Sequence, residues 1–137
     1  MSVIYAREQD LSVEDYTLVI GSTYMADRRP LTNPARVAAI LKGSNVIVTA
    51  RDGETGAILG VARGISDDAW VCYIADLAVI EGQQGRGIGT GILDECTRIL
   101  GPGIGIVLLA YEQAIPFYRR IGMGEMTAFY RDRTDRT

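Results

Sequence analysis

The stretch from Trp70 to Leu93 constrains the fold more than any other part of the chain. It begins Trp70-Val71-Cys72-Tyr73-Ile74-Ala75-Asp76-Leu77-Ala78-Val79-Ile80, apolar on both alternating faces, as in a strand buried between two layers. Glu81-Gly82-Gln83-Gln84-Gly85-Arg86-Gly87-Ile88-Gly89-Thr90-Gly91 follows, with five glycines within residues 82–91. Ile88, Ile92, Leu93, Cys96, Ile99 and Leu100 then recur at helical spacing and line one face. A strand, a glycine-rich turn and a helix that starts inside the turn together form an anion-binding device. Unpaired N–H groups and the positive end of the helix dipole converge on one spot. Glycine lets the backbone close around a phosphate with no Cβ in the way.

At 137 residues the chain makes one domain with a proper core. The expected boundaries are 1–131 for the domain and 132–137 for a frayed, charged tail. Net charge is −3 with no basic run, so no nucleic-acid footprint is visible. No apolar stretch reaches membrane-spanning length, and Met1 to Arg7 lacks the regions of a signal peptide, which predicts a cytoplasmic protein. Cys72 and Cys96 read as small core hydrophobes. There is no histidine, which removes Ser-His-Asp and Cys-His catalysis and most zinc chemistry; no metal is expected. A base here must be a carboxylate, a tyrosine or a water held by the backbone.

In chain order, Val3 to Ala6 reads as a strand. Ser12 with Asp15 opens a helix to about Ser22. Residues 25–32 form a polar loop. Asn33 then caps a helix with Pro34 at its first position, running to Lys42 and stopped by Gly43. Strands follow over 46–50 and 58–65, then the central strand and the glycine-rich helix. Ile104 to Ala110 is a strand parallel to the central one by crossover handedness. A short helix over 112–121 and a final strand over 124–130 complete the chain.

The glycine motif fails the Walker pattern, because Gly89 is followed by Thr90-Gly91 and not Lys-Ser or Lys-Thr. It fails the Rossmann fingerprint, because the sixth position holds Thr90 or Ile92. Gln84-Gly85-Arg86-Gly87-Ile88-Gly89 instead resembles the Gln/Arg-x-x-Gly-x-Gly/Ala signature of the GCN5-related N-acetyltransferases, the GNAT superfamily. An Asp-Leu-Ala-Val strand end precedes it. Ala114-Ile115-Pro116-Phe117-Tyr118-Arg119-Arg120-Ile121-Gly122-Met123 resembles the family's Ala-x-x-Phe-Tyr-x-x-x-Gly-Phe segment, with Met123 in place of Phe. The resemblance covers nearly the whole chain.

The resemblance implies an α/β (α+β) fold with a mixed sheet of six to seven strands, about four helices, and splayed fourth and fifth strands. It implies acetyl-CoA as co-substrate, with its pyrophosphate on Gln84, Gly85, Arg86, Gly87, Ile88, Gly89 and Thr90. The pantetheine would pair along Leu77, Ala78 and Val79 like an added strand, and a backbone N–H near Leu77 would face the thioester oxygen. Tyr118 matches the general acid that protonates the departing thiolate. Where many relatives carry asparagine, this chain has Tyr111. For the base, Asp76 is the one charged residue within the central strand; Tyr73, Glu112 and a water chain are the alternatives. Acceptor contacts would come from Tyr24, Asp27, Arg28, Arg29 and Tyr73, with Glu125 and Phe129. Asp27 suits an amine and the arginine pair a carboxylate, although solvated loop charges fit the same residues.

The expected partner is a small-molecule amine, with no nucleic acid or membrane and a homodimer plausible. A protein or peptide acetyltransferase, a non-catalytic acyl-CoA-binding module and a different nucleotide binder are the competing readings.

Overall fold

The computed structural model describes residues 1–135; Arg136 and Thr137 of the expected tail lie outside the described residues. Strands β1 (Val3–Arg7), β2 (Val46–Asp52), β3 (Ile58–Ser66), β4 (Val71–Val79) and β5 (Gly105–Leu108) form one sheet in sequence order. The first three pairings are antiparallel and β4 pairs β5 in parallel. The helices are α1 (Val13–Gly21), α2 (Pro34–Lys42), α3 (Ile88–Leu100) and α4 (Ile115–Arg120), with one-turn 3-10 helices at Ala26–Arg28 and Glu112–Ala114.

The helix starts follow from local chemistry. The Ser12 Oγ accepts from the Asp15 N–H at 3.1 Å, and Asn33 Oδ1 accepts from the Arg36 N–H at 3.1 Å with Pro34 just inside. Two cores result, one on each face of the sheet. α1 and α2 bury Tyr16, Val19, Ile20, Val37 and Leu41 on one side; α3 buries Ile88, Ile92 and Cys96 on the other.

One irregularity decides where the site forms. Arg63 pairs with Asp76 but Gly64 pairs with Ile74, so Ala75 is an extra residue in β4. Such a bulge reverses the alternation of the strand beyond it. Cys72 and Ile74 pack with α3, whereas Asp76 and Ala78 turn to the α1 side, where Tyr16 lies. Pairing between β4 and β5 stops at Ile74 and Leu108, directly before the bulge, and the two strands part there.

Three expectations change. β4 is not covered on both faces throughout: Val71 and Tyr73 are exposed, because no helix lies over that half of the strand opposite α3. The fifth strand is shorter than 104–110, since its partner turns away at Ala75. Residues 124–130 form no strand, which leaves five rather than six or seven among the described residues. Met126 and Phe129 stay 88% and 97% exposed, so the segment as it lies gains little burial to offset the entropy of ordering it.

Where β3 crosses beneath α3, Gly60 leaves no room for a side chain. A Cβ there would sit 2.7 Å from Ile92 Cδ1 and 2.9 Å from the Ala78 carbonyl oxygen. The carbonyl belongs to the backbone of β4 and cannot step aside. Gly60→Ala is therefore expected to cost about 2 kcal/mol by overpacking, read as a lower denaturation midpoint with an unchanged m-value. An unchanged midpoint would show that the helix–sheet spacing is looser than described.

Candidate active site

The parting of β4 and β5 opens a narrow slot of about 20 Å³ lined by Tyr24, Ile74, Ala75, Leu77, Leu108 and Tyr118, among others. Tyr118 comes from α4, where Phe117 meets it edge-on at 5.0 Å between centroids. Burial, then the nearby Tyr24, pushes the Tyr118 phenol up to about 12. Among the described residues its hydroxyl makes no hydrogen bond, so the proton is held but not committed to a protein acceptor.

Next to the slot lies the glycine-rich loop. Gly82, Gly85 and Gly87 take φ of +94°, +80° and +78°, which favours glycine, and a Cβ at any of them would meet nothing within 4 Å. Their freedom is thus needed for loop shape, not for packing. Gly89 and Gly91 differ, since they face Phe117 and Tyr5 closely. Gly87 caps α3 in a left-handed conformation without a side-chain acceptor, so the N–H groups of Ile88, Gly89 and Thr90 in the first turn have no intrahelical partner. Arg86 is exposed beside them. Gln83 Oε1 is buried with no hydrogen-bond partner among the described residues. The edge of β4 beyond Ile74 has no strand partner; its Ala75 and Val79 carbonyls accept from Arg29 Nη2 at 2.8 Å and Gln84 Nε2 at 3.1 Å. An open, uncapped helix start beside a bare strand edge fits a long ligand with a phosphate group and an amide-bearing arm.

The third component was only partly legible in the sequence, which singled out Asp76 and Arg29 but not their pairing. Asp76 is 1% exposed and receives Tyr16 Oη at 2.5 Å, Arg63 Nε at 2.6 Å and Arg29 Nε at 2.7 Å. Arg63 also reaches Ser44 Oγ at 3.2 Å, and Arg29 reaches Tyr111 Oη at 3.3 Å. Burial and then Asp76 raise the Tyr16 phenol far above its ordinary value. Burial opposes the Arg29 charge, but Asp76 and Tyr111 outweigh it and raise its pKa. Both oxygens of Asp76 are engaged by donors, and the residue lines neither cavity. Asp76, the expected base or amine-binding group, is thus held by three donors of the protein itself.

On the α2 side the slot opens into a cleft of about 1020 Å³. Asp27, Arg28, Arg29 and Tyr73, the expected acceptor contacts, line it, joined by Arg36, Arg63, Tyr111, Tyr130, Asp132 and Arg133. Tyr24 lines the slot instead, and its ring meets Tyr111 edge-on at 5.6 Å. Glu112 and Phe129 line neither cavity, and exposed Glu125 pairs with Arg119. Tyr111 touches both spaces. It lines the slot, carries the Arg28 guanidinium 4.4 Å from its ring centre and accepts from Arg29 Nη1. Among the described residues no group of three or more His, Cys, Asp or Glu side chains could hold a metal, and no helix is long and apolar enough to cross a membrane.

Residues 9–123 match the model of the acetyltransferase (GNAT) family. A histone acetyltransferase from Glycine max is 34% identical over 131 residues, covering 88% of this chain and 55% of that protein. A probable acetyltransferase from the same plant is 30% identical, covering 88% and 51%. The chain thus spans about half the length of the curated relatives it matches. Among solved structures, a putative acetyltransferase from Deinococcus radiodurans superimposes with a TM-score of 0.75 at 23% identity, covering 96% of this chain and 88% of the other.

Proposed function

The chain belongs to the acetyltransferase (GNAT) family, and on that premise we propose that it moves the acetyl group of acetyl-CoA to the amine of a small molecule. The observation that carries this reading is the junction of three features at one point. These are the uncapped start of α3, the edge of β4 that no strand covers beyond Ile74, and Tyr118 lining the slot where β4 and β5 part.

Acetyl-CoA supplies an activated acyl group on sulfur. The first-turn N–H groups of α3 with the loop from Gln84 to Gly87 would hold the pyrophosphate, with Arg86 adding charge. The edge from Leu77 to Val79 would hold the arm, and a backbone N–H there would stabilise negative charge developing on the acyl oxygen. The amine enters from the cleft in its neutral form. A nitrogen–carbon bond forms as the carbon–sulfur bond breaks; the amine gives up one proton to solvent, and Tyr118 Oη gives one to the leaving sulfur. Tyr118 is then reprotonated from solvent. Asp76 contributes by holding Arg29 and Arg63, a positioning role.

A protein substrate is the second reading, favoured by the 34% identity to a histone acetyltransferase. The first test is the melting temperature with acetyl-CoA, CoA, ATP and NAD at equal concentration. A ligand at a hundred times its Kd stabilises by about 2.7 kcal/mol, several degrees for a domain of this size. A shift confined to the CoA species supports the reading. No shift with either CoA species would remove it.

A further inference from the structure

The large cleft carries a charge that the chain as a whole does not. Against a net charge of −3, its walls hold Arg28, Arg29, Arg36, Arg63 and Arg133 opposite Asp27 and Asp132. The excess is deepest at the floor. Arg29 and Arg63, whose side chains are 17% and 10% exposed, share the single carboxylate of Asp76. One buried anion between two guanidiniums leaves a positive charge uncompensated where water is scarce. Arg63 directs Nε to Asp76 and Nη1 to Ser44, while its Nη2 meets no protein acceptor among the described residues.

Arg28 adds a second donor of a different kind. It makes no ion pair among the described residues, and lies 4.4 Å from the centre of the Tyr111 ring and 5.9 Å from that of Tyr24. An arginine set against aromatic rings keeps its in-plane N–H groups available, in the fork that suits a carboxylate or phosphate. The cleft and the slot share Ala75, Leu109, Ala110 and Tyr111. A molecule seated on the arginines can therefore reach the slot that holds Tyr118.

From this arrangement we infer that the acceptor is an amine that also carries an anionic group, a carboxylate or a phosphate monoester, bound by Arg63 at the cleft floor and by the exposed Arg28 on its wall. The inference rests on the acetyltransfer reading and narrows its substrate class. It also sets the small-molecule reading apart from a lysine-rich protein tail, whose several positive charges the same arginines repel.

The experiment has two readouts on the full chain at constant ionic strength. In the first, protein saturated with CoA is melted against glutarate and glycerol phosphate, which represent the carboxylate and phosphate sources. A rise in melting temperature with at least one anion, lost in Arg28→Ala and partly restored in Arg28→Lys, is the expected result. No rise with either anion overturns the inference. In the second, thiol release from acetyl-CoA is followed with matched acceptors: glycine against glycinamide, glucosamine 6-phosphate against glucosamine, and a lysine-rich peptide. The anionic member should be favoured in kcat/KM by about tenfold or more, as expected for a charge-assisted contact. Arg28→Ala should erase that preference chiefly through KM. Equal or better use of glycinamide, glucosamine or the peptide overturns the inference while leaving acetyltransfer intact. Absence of any melting shift with acetyl-CoA alone would instead remove the underlying reading.

Discussion

Tyr118→Phe is expected to lower kcat by about a hundredfold while leaving the acetyl-CoA-induced melting shift in place. General acid catalysis contributes roughly 10²- to 10⁴-fold, and the environment of Tyr118 favours the lower end. Its phenol, pushed up to about 12 by burial and then by Tyr24, is a weaker acid than a free phenol. Transfer to a thiolate whose thiol has a pKa of about 8.5 runs uphill by roughly 3.5 units, about 5 kcal/mol. That cost is tolerable within an ordinary enzymatic barrier, but it limits what the proton contributes. The same shift fixes the pH behaviour. Tyr118 stays protonated through the neutral range, so kcat should rise with pH as the acceptor amine deprotonates and show no loss from Tyr118 until pH approaches about 12. The folded-state value lies above the ordinary value of 10.0, so the neutral phenol's contribution to stability is complete below pH 10 and is lost as pH rises through about 12. Stability of the variant at pH 7 should match the parent, because the hydroxyl makes no hydrogen bond among the described residues. A variant with undiminished kcat would remove Tyr118 from the chemistry and leave it a wall of the slot.

Much of this arrangement was legible in the residues. Ser12 and Asn33 announce helix starts because their side chains accept first-turn N–H groups, and the structure places both caps. The glycines at 82, 85 and 87 announce a loop that only glycine can trace comfortably. The bulge at Ala75 was not legible. Cys72, Ile74, Asp76 and Ala78 all fall on even positions, and a period-two reading assigns them to one face. An extra residue inside an apolar run changes no composition, yet it sends Asp76 toward Tyr16 and away from α3. The Asp76 ion pairs left a fainter trace. Arg63 is the only charged residue in its apolar strand and Asp76 the only one in the next, and opposite lone charges on consecutive strands invite pairing across them. Tyr130, Asp132 and Arg133 reach the cleft from an irregular segment, and no periodicity marks such residues in advance.

Asp76→Ala should be the most destabilising single change at the site. It strands two guanidiniums with little access to water and leaves Tyr16 Oη, in a fully buried side chain, without its acceptor. Removing one partner of a buried ion pair costs about 3–5 kcal/mol, which for a domain of this size lowers the melting temperature by roughly 10–20 °C. The loss should come from stranded charge more than from lost attraction, and a second substitution separates the two. Adding Arg63→Met to Asp76→Ala removes one of the stranded cations, and the double variant should melt higher than Asp76→Ala alone. Asp76→Asn distinguishes a positioning role from a base. A base replaced by an amide would abolish turnover with stability largely kept. A carboxylate that holds arginines would lose stability first, and below the melting point KM for the acceptor should rise more than kcat falls, because Arg29 and Arg63 line the cleft through which the acceptor enters. An Asp76→Ala protein that melts with the parent would show that the arginines find other partners, and the floor of the cleft would then be adaptable instead of fixed.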